Sequence, residues 1–560
     1  MKMSMTKRIF ALLLTVAMLV CALAACNTTK NPDETNAPSI ETLPPDPPTT
    51  PAKKITSINV TCGDSAVENF AATELKWYLK EKNIPLSDSG YQISLKIHTG
   101  VAKDGYKIIA DENCLTIFGG NNRGLIYGVY SFLEKYIGVY FYSPDTVVVD
   151  DKDIMIGGGV LDVFTPAFEV LRNPWHPIEK LAEKDGGNVA DTGVTKAMSL
   201  YTIAGTGSVT TCLSDSKVFE KALQNVQNLL KSGDVTAIRF SPSTEYDLYC
   251  TCEKCARVHE EEGSPAGNYI RFLNKLYEKV LPDNPNLKFE IVPIAYMAKA
   301  PSVTKPAQGI SIRFDTDKCH ISHPLTDATC PESVSFCESV KSWGAFCDDV
   351  HVEYGLTASV DYIPVFANLG SLRQNMRFFA ESGVDSIYFT GNFICPTGEF
   401  GELRVYLISK LIQNPMMSEE EYYGYMDSFL KAFYGDGWTY IRQFIDKIIE
   451  LSADGHQTQK DGPFAAITEE EYLANEADLE RFWSAAEVLA GDRVNFVKRA
   501  RYQWRYIKLC LHPDEIEAKE LIADVSNPEI GKISWRDKKW NVDTAKTDFT
   551  LAPMEWIYKS

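Results

Sequence analysis

The clearest pattern in the chain is a strand, a polar loop, a helix and a second strand over residues 235–297. Residues 236–240 form a short apolar run that stops at Ser241-Pro242, and residues 289–296 form another. Between these runs, apolar residues recur at helical spacing: Tyr269, Leu273, Leu276, Tyr277 and Val280. Such a unit predicts two parallel strands in a right-handed crossover, with functional residues at the carboxyl ends of the strands.

The same alternation extends over the middle of the chain. Seven apolar runs, mostly separated by helical segments, are candidate strands: 168–171, 198–203, 237–240, 291–296, 310–314, 350–354 and 386–390. This order predicts an α/β fold with a (β/α)8 TIM-like barrel, although the pattern locates no eighth strand. From residue 403 onward the apolar spacing becomes helical, which predicts a helical C-terminal region.

Composition divides the chain further. Positive charges at Lys2, Lys7 and Arg8 precede an apolar run that is too short to span a membrane, as in a signal peptide. The next residues are rich in Pro, Thr, Asn and Asp and cannot form a core. The predicted parts are a lipoprotein signal peptide (1–25), a disordered tether (26–52), a small α/β domain (53–160), the barrel (161–415) and the helical region (416–560).

The end of the signal peptide predicts where the protein resides. Leu23-Ala24-Ala25-Cys26 resembles the bacterial lipoprotein processing box, in which Cys26 becomes the lipidated first residue. An ordinary secretory signal with a coincidental cysteine is the alternative. The expected location is the bacterial cell surface, with the exported protein held in the membrane by a lipid anchor.

The net charge of the chain limits the classes of molecule that the protein is expected to bind. The net charge of −19 becomes −22 when residues 1–25 are removed, because that segment carries three basic and no acidic residues. So acidic a chain argues against nucleic acid and against anionic lipid surfaces. A neutral glycan remains a compatible partner.

Two sets of motifs resemble known families. Residues 122–141 are similar to the R-G-x-x-Y-G-V-Y-x-F-L-E helix of the non-catalytic α/β domain that precedes the barrel in bacterial α-glucuronidases and β-hexosaminidases. Residues 54–440 resemble the bacterial exported lipoprotein family of domain of unknown function 4838 in these motifs: Ser241-Pro242, Cys250-x-Cys252-x-x-Cys255, Ile294-Ala295-Tyr296, Cys319-His320 and residues 402–407. The second resemblance implies a glycoside hydrolase-like protein.

Carboxylates at strand ends are the candidate catalytic residues. Hydrolysis of a glycosidic bond usually needs two carboxylic acids, one as acid and one as nucleophile or base. Five residues follow or end the predicted strands: Glu245, Asp315, Asp317, Glu353 and Glu399. Glu245 and Glu353 are the preferred pair, whereas Asp247 is interpreted as a turn residue.

Aromatic and histidine side chains near the same strand ends are the candidate substrate-binding residues, because sugar rings present apolar faces. The candidates are Trp175, His176, Tyr296, His320, Trp343 and Tyr354. Tyr296 and Tyr354 are equally compatible with a core position, and a lone histidine in a loop is more often structural.

Cys250, Cys252 and Cys255 form a close cysteine cluster in the predicted loop. In an exported protein such cysteines usually form disulfides, but three thiolates and one more residue would also complete a structural zinc site. Further ligands would come from Cys319, His320, His323 or Cys330. No cofactor is required for catalysis, and in either case the cluster is expected to hold the loop that carries Glu245.

These patterns predict a cell-surface glycoside hydrolase that acts on a glycan, including N-acetylhexosamine-containing glycans, by a two-carboxylate or substrate-assisted mechanism. A non-catalytic glycan-binding lipoprotein is the alternative. A zinc-dependent hydrolase is a third and less favoured hypothesis. Such an enzyme needs an open metal position, and the chain has no H-E-x-x-H motif.

Overall fold

The structure is a computed structural model of the 560-residue chain. It describes residues 43–143, 146–172, 194–205, 210–231, 233–242, 247–358, 363–390, 399–525, 527, 536–537 and 542–543. The chain divides into two units, Met1–Pro44 and Pro45–Ser560, and the account that follows concerns the second.

Nine strands lie in the first part of this unit: β1 (Lys53–Lys54), β2 (Ile58–Cys62), β3 (Tyr91–Ile97), β4 (Tyr106–Ala110), β5 (Cys114–Gly119), β6 (Val139–Ser143), β7 (Thr146–Val149), β8 (Met155–Ile156) and β9 (Gly159–Phe164). Five of them form one sheet in the order β2-β3-β5-β4-β9, and the others pair as β1-β8 and β6-β7. The helices Ala66–Glu81 and Asn122–Phe132 bury Leu75 and Val129 in the core of this sheet.

Two glycines explain the R-G-x-x-Y-G motif of the helix Asn122–Phe132. A Cβ atom at Gly124 would lie 2.1 Å from the carbonyl oxygen of Gly105, and one at Gly128 would lie 2.7 Å from Cγ2 of Ile117. The helix therefore packs against the sheet more closely than a side chain at either position allows.

Residues that were predicted to form the end of a tether contact this sheet. Asp46 is 2.5 Å from the ammonium of Lys107, and the backbone N–H of Thr50 donates to the carbonyl of Gly158 at 3.1 Å. Residues 26–42 lie outside the described residues, so the tether stays a prediction for them.

A parallel sheet of seven strands follows: β10 (Glu169–Arg172), β11 (Val194–Ser199), β12 (Val235–Ser241), β13 (Lys288–Ile291), β14 (Ile310–Asp315), β15 (Val350–Gly355) and β16 (Ser386–Thr390). The order is β10-β16-β15-β14-β13-β12-β11, so each strand from β11 to β16 pairs with its neighbour in sequence and β10 pairs with the last. Among the described residues β10 and β11 do not pair. The parallel sheet is confirmed, but the strands within the described residues do not form a closed eight-stranded barrel.

Two predicted strands end earlier than their apolar runs. Residues 291–296 pass from β13 into the turn Ala295–Met297, because Pro293 has no N–H to continue the ladder. Residues 198–203 pass from β11 into the helix Leu200–Ala204. A run of apolar residues indicates that a segment is buried, but it does not show where a strand ends and the next element begins.

The two faces of this sheet differ in chemistry. One face carries Ile238, Phe240, Phe289, Ile312 and Val352, all of them buried in one continuous core. The helices between the strands are Ser216–Leu230, Glu253–Glu262, Ala266–Val280, Pro331–Gly344 and Leu372–Glu381. The alternate positions carry charged side chains, because successive residues of a strand point to opposite faces.

The described part of the C-terminal region is helical up to Val525, in agreement with the helical spacing of its sequence. Its helices are Gly401–Gln413, Glu419–Tyr434, Trp438–Leu451, Glu469–Leu489, Val494–Leu511 and Glu515–Val525, and two short strands follow, β17 (Arg536–Asp537) and β18 (Val542–Asp543). Phe444 and Trp483 of these helices belong to the same hydrophobic core as the seven-stranded sheet. Within the described ranges, no helix has the length and apolarity that a membrane span requires.

Candidate active site and metal centres

A chain of alternating charges crosses the polar face of the seven-stranded sheet. Arg239 on β12 donates from Nε to Oε2 of Glu290 on β13 at 2.7 Å. Arg313 on β14 donates to Oε1 of Glu290 at 3.3 Å and to Oε2 of Glu353 on β15 at 2.5 Å. The Arg313 guanidinium also lies 5.5 Å from the ring centroid of Tyr388 on β16. Burial of these charges is compensated because each carboxylate has a cationic partner.

Asp315 and Glu353 stand beside each other at the carboxyl ends of two strands. They are direct partners in the parallel pairing of β14 with β15. Neighbouring strands are about 4.8 Å apart, so both carboxylates emerge at the same edge of the sheet. Asp315 is exposed. Its Oδ1 accepts the backbone N–H of Asp317 at 2.9 Å.

The surroundings of the two carboxylates differ. Although the Asp315 side chain reaches solvent, the protein around its carboxyl group partly desolvates it and raises its pKa above the ordinary value. The Asp317 and Glu353 carboxylates act in the same direction, whereas the backbone N–H of Asp317 and the ammonium of Lys460 oppose the rise. Glu353 faces the Arg313 guanidinium instead. One carboxyl group thus keeps its proton to higher pH, and its neighbour has a cationic partner. This arrangement suits general acid–base catalysis.

Asp317 and Glu399 have other partners. Asp317 forms an exposed ion pair with Lys460. Glu399 is 3% exposed and is bonded to the backbone N–H of Phe366 at 3.0 Å and to Nη2 of Arg404 at 2.5 Å. Burial raises the pKa of Glu399 to about 7, against the opposing effect of Arg404. This carboxylate is built into the core, which corrects the expectation that it faces the substrate.

Several predicted residues lie outside the described residues. These are Glu245, which is one of the preferred catalytic pair, together with Trp175, His176 and the lipidation site Cys26. Their roles stay predictions.

Tyr296 lies near the carboxyl end of β13 with a second aromatic residue that sequence reasoning missed. Its ring centroid is 5.3 Å from that of Tyr249, which in turn lies 5.1 Å from the ring of His259. The residue before Tyr296, Ala295, has a left-handed φ of 53°, which is uncommon for a residue with a side chain. Strained backbone of this kind is concentrated at functional sites.

Trp343 and Tyr354 are corrections to the predicted set of substrate-binding residues. Both are 0% exposed. The indole N–H of Trp343 donates to the carbonyl of Met297 at 2.9 Å, and the hydroxyl of Tyr354 accepts from the amide of Asn375 at 3.0 Å. These two side chains fill the hydrophobic core, since their positions in the pattern place them on its apolar side.

The predicted cysteine cluster gains a fourth member from another part of the chain. One sulfur from each of four residues lies within 4.8 Å of the others, and we call these residues the four-cysteine cluster: Cys212, Cys250, Cys252 and Cys255. Cys212 lies shortly before the helix Ser216–Leu230, about forty residues upstream. A lone cysteine at that distance gave no signal in the sequence.

The sulfur separations in this cluster can be compared with both expectations, disulfides and a structural zinc. Sγ of Cys212 lies 3.7 Å from that of Cys252 and 3.8 Å from that of Cys255. A disulfide bond is about 2.05 Å long. A tetrahedral zinc with bonds of about 2.3 Å separates its sulfurs by roughly 3.8 Å. The thiols are free and the donor set fits zinc.

The pKa values of two thiols in the four-cysteine cluster are shifted in opposite directions. The backbone N–H of Cys255 lowers the pKa of Cys252 to about 7. Burial raises the pKa of Cys212 to about 12. Because zinc binds thiolates, Cys252 is the member most ready to lose its proton to a metal.

None of the predicted extra ligands joins this cluster. Cys319 is 4% exposed and belongs to the hydrophobic core. His320, His323 and Cys330 instead approach one another and His456 in a separate group. His320 lies in that group, and its predicted role in sugar binding stays a prediction.

Solved structures similar to this chain include glycoside hydrolases. A family GH115 4-O-methyl-α-glucuronidase with specificity for decorated arabinogalactans is 12% identical, with a TM-score of 0.45, covering 87% of this chain and 79% of that chain. CpGH84B is 12% identical with a TM-score of 0.39 and coverages of 87% and 94%. The GH20 β-N-acetylhexosaminidase from Streptomyces coelicolor A3(2) is 11% identical with a TM-score of 0.34 and coverages of 68% and 93%.

No curated protein matches the chain. The family model of the domain of unknown function DUF4838 matches residues 200–446. This range contains β12 to β16, the four-cysteine cluster and the helix Gly401–Gln413. The resemblance that the motifs indicated is thus confirmed, and residues 200–446 match the DUF4838 family.

Proposed function

We propose that this protein is a glycoside hydrolase whose active site lies at the carboxyl edge of the seven-stranded parallel sheet. The observation that carries the proposal is the pair of Asp315 and Glu353, which emerge side by side from β14 and β15. A pair of carboxyl groups at one edge of the sheet is the machinery that cleavage of a glycosidic bond usually requires.

The surroundings of the pair assign the roles. Asp315 is the general acid, because its raised pKa keeps a proton available for the leaving oxygen. Glu353, paired with Arg313, is the nucleophile, or it orients the acetamido group of an N-acetylhexosamine in a substrate-assisted reaction.

The substrate proposed is a neutral or amino-sugar-containing glycan. Tyr249 and Tyr296 offer aromatic rings near the end of β13, and sugar rings stack on such surfaces through their apolar faces. The strongly acidic chain disfavours polyanions.

The decisive experiment is a screen of the purified protein against N-glycans and uronic-acid-bearing glycans, with product detection by mass spectrometry. Release of a sugar from one class supports the hydrolase. Saturable binding without any product would instead support the glycan-binding lipoprotein.

We propose zinc as the occupant of the four-cysteine cluster. Four cysteine ligands close the tetrahedron, so the metal is structural and leaves no position for substrate. We expect Cys212→Ser to lower the zinc content by about one ion per chain, measured by elemental analysis. Cys62→Ser, at a cysteine outside the cluster, should retain the wild-type content. A Cys212→Ser protein with unchanged zinc would contradict this assignment.

We also propose a lipid anchor at Cys26. Because only a thiol accepts the diacylglyceryl group, Cys26→Ser should move the protein from the membrane fraction to the soluble fraction. Cys21→Ser is the matched control, since Cys21 is removed with the signal peptide and should leave the membrane association intact. Immunoblots of the two fractions measure the outcome, and equal partition of wild type and Cys26→Ser would refute the anchor.

A further inference from the structure

A second group of metal-ligand side chains lies between two loops that are far apart in sequence. We call it the histidine–cysteine cluster, and its members are His320, His323, Cys330 and His456. One ligand atom from each lies within 4.8 Å of the others. The first three follow β14, and the fourth comes from the connection after the helix Trp438–Leu451.

The donor atoms converge closely. Nδ1 of His320 is 3.3 Å from Sγ of Cys330 and 3.0 Å from Nδ1 of His456. A tetrahedral zinc with Zn–N bonds of about 2.1 Å and Zn–S bonds of about 2.3 Å holds its ligand atoms roughly 3.4–3.8 Å apart. An expansion of a few tenths of an ångström would accommodate the ion.

His323 has a buried ring nitrogen that lacks a hydrogen-bond partner among the described residues. Its Nδ1 is 3.0 Å from the carbonyl oxygen of Pro324, which can only accept, so Nδ1 bears the proton. Nε2 then presents a lone pair. The residue is 3% exposed, and this nitrogen has no hydrogen-bond partner among the described residues. A metal-ligating histidine has this same arrangement, with its other N–H held by a carbonyl.

Cys330 supplies the sulfur donor of the cluster. It occupies the N-cap position of the helix Pro331–Gly344, and Pro331 occupies the first helical position. Three imidazoles and one thiolate form a donor set that suits zinc.

We propose that the histidine–cysteine cluster is a second, structural zinc site that joins the loop after β14 to the helical region. With four protein ligands, the tetrahedron is closed and the ion holds the two segments together. The proposal goes beyond the hydrolase activity, because zinc binding here does not depend on which bond the protein cleaves.

Hydrogen bonds already align the two segments for this role. The backbone N–H of Ile321 donates to the carbonyl of Gln457 at 2.9 Å. The hydroxyl of Ser322 donates to the carbonyl of Gly455 at 2.5 Å and accepts from the N–H of Gln457 at 3.2 Å. The ligands are thus presented on a fixed frame, which lowers the entropy cost of binding the ion.

The site lies directly beyond the proposed catalytic edge. The loop that carries His320 begins after Asp315, and Asp317 of this loop pairs with Lys460 from the same connection as His456. Zinc would therefore hold the segment that follows the proposed general acid.

The test is the zinc content of the purified full-length protein and its variants, measured by elemental analysis after dialysis. Wild type should hold two zinc ions per chain, His456→Ala one, and His456→Ala combined with Cys212→Ser none. His512→Ala is the matched control, because His512 is also exposed but lies outside the cluster, and it should retain two. A His456→Ala protein with the wild-type content, or a wild-type content of one that Cys212→Ser abolishes, would overturn the proposal.

A ligand exchange guards against a folding effect. His456→Cys replaces one zinc ligand by another and should restore the second ion, whereas His456→Ala should not. Loss of zinc should also speed hydrogen exchange in residues 452–461, both in His456→Ala and in wild type treated with a chelator. If residues 452–461 of His456→Ala exchange at the wild-type rate, zinc does not hold the two segments together and the proposal is contradicted. A His456→Cys protein that lacks the second ion would contradict it as well. Activity is not part of these readouts, so they remain decisive even if the hydrolase proposal fails.

Discussion

Asp315→Asn is expected to lower turnover of the glycan substrate by about 10²–10⁴-fold, because the amide cannot give a proton to the leaving oxygen. The raised pKa of Asp315 also makes a pH prediction. The protonated form persists to higher pH than in an ordinary aspartate, so activity should fall as pH rises through the raised pKa. The Asp315→Asn variant should lose this alkaline limb along with most of its rate.

Glu353→Gln should cause a loss of similar size without a change in fold. The amide oxygen of Gln can still accept the hydrogen bond from Arg313, so the charge is removed while the contact is kept. Glu338→Gln is the matched control, since Glu338 is an exposed carboxylate on the helix Pro331–Gly344 and should keep the wild-type rate. Initial rates with a substrate found in the screen measure each variant. Wild-type rates in both Asp315→Asn and Glu353→Gln, with loss in Glu245→Gln, would move the active site to Glu245.

Arg404→Met is expected to lower the free energy of unfolding by about 3–5 kcal/mol, which is typical when one partner of a buried ion pair is removed. Arg404 is 1% exposed, and its Nε donates to the amide oxygen of Asn368 at 2.6 Å. Other nitrogens bond the Glu399 carboxylate and two backbone carbonyls, those of Phe366 and Glu399. Methionine keeps much of the volume but removes this donor from all of these buried acceptors, and the Glu399 carboxylate keeps the N–H of Phe366 but loses its cationic partner.

Urea unfolding of the purified protein measures this effect, with Arg481→Met as the control. Arg481 pairs with Asp478 at 3.0 Å on the surface of a helix, and both side chains are 58% exposed, so the change there should stay below about 1 kcal/mol. Adding Glu399→Leu to Arg404→Met should cost less than the sum of the two single changes, because the pair then disappears together. A cost below about 1 kcal/mol for Arg404→Met would show that the pair contributes little to the fold.

The sequence was a good guide to local structure in the seven-stranded sheet. The apolar runs at 310–314, 350–354 and 386–390 became β14, β15 and β16 almost residue for residue. Each is a short apolar segment bounded by polar residues, and Glu353 was expected near the end of its strand, where β15 places it. The helical spacing after residue 403 was equally informative, because it reports one buried face per helix. Residues of the cysteine motif from 250 to 255 were correctly expected to lie together, since a few residues of chain cannot separate them far.

Tertiary structure decided which distant residues meet. The sequence alone determined most of the order of strands and helices, the acidic charge and the supply of strand-end carboxylates. It contained no signal that Cys212 completes the four-cysteine cluster, that His456 joins His320, or that Arg404 and Glu399 are paired inside the core. Periodicity reports only the local environment of a residue, whereas these contacts depend on strand register and on how the helical region packs against the sheet. The pairing of Asp315 with Glu353 also depends on tertiary structure, because only the register of β14 on β15 brings the two carboxylates side by side.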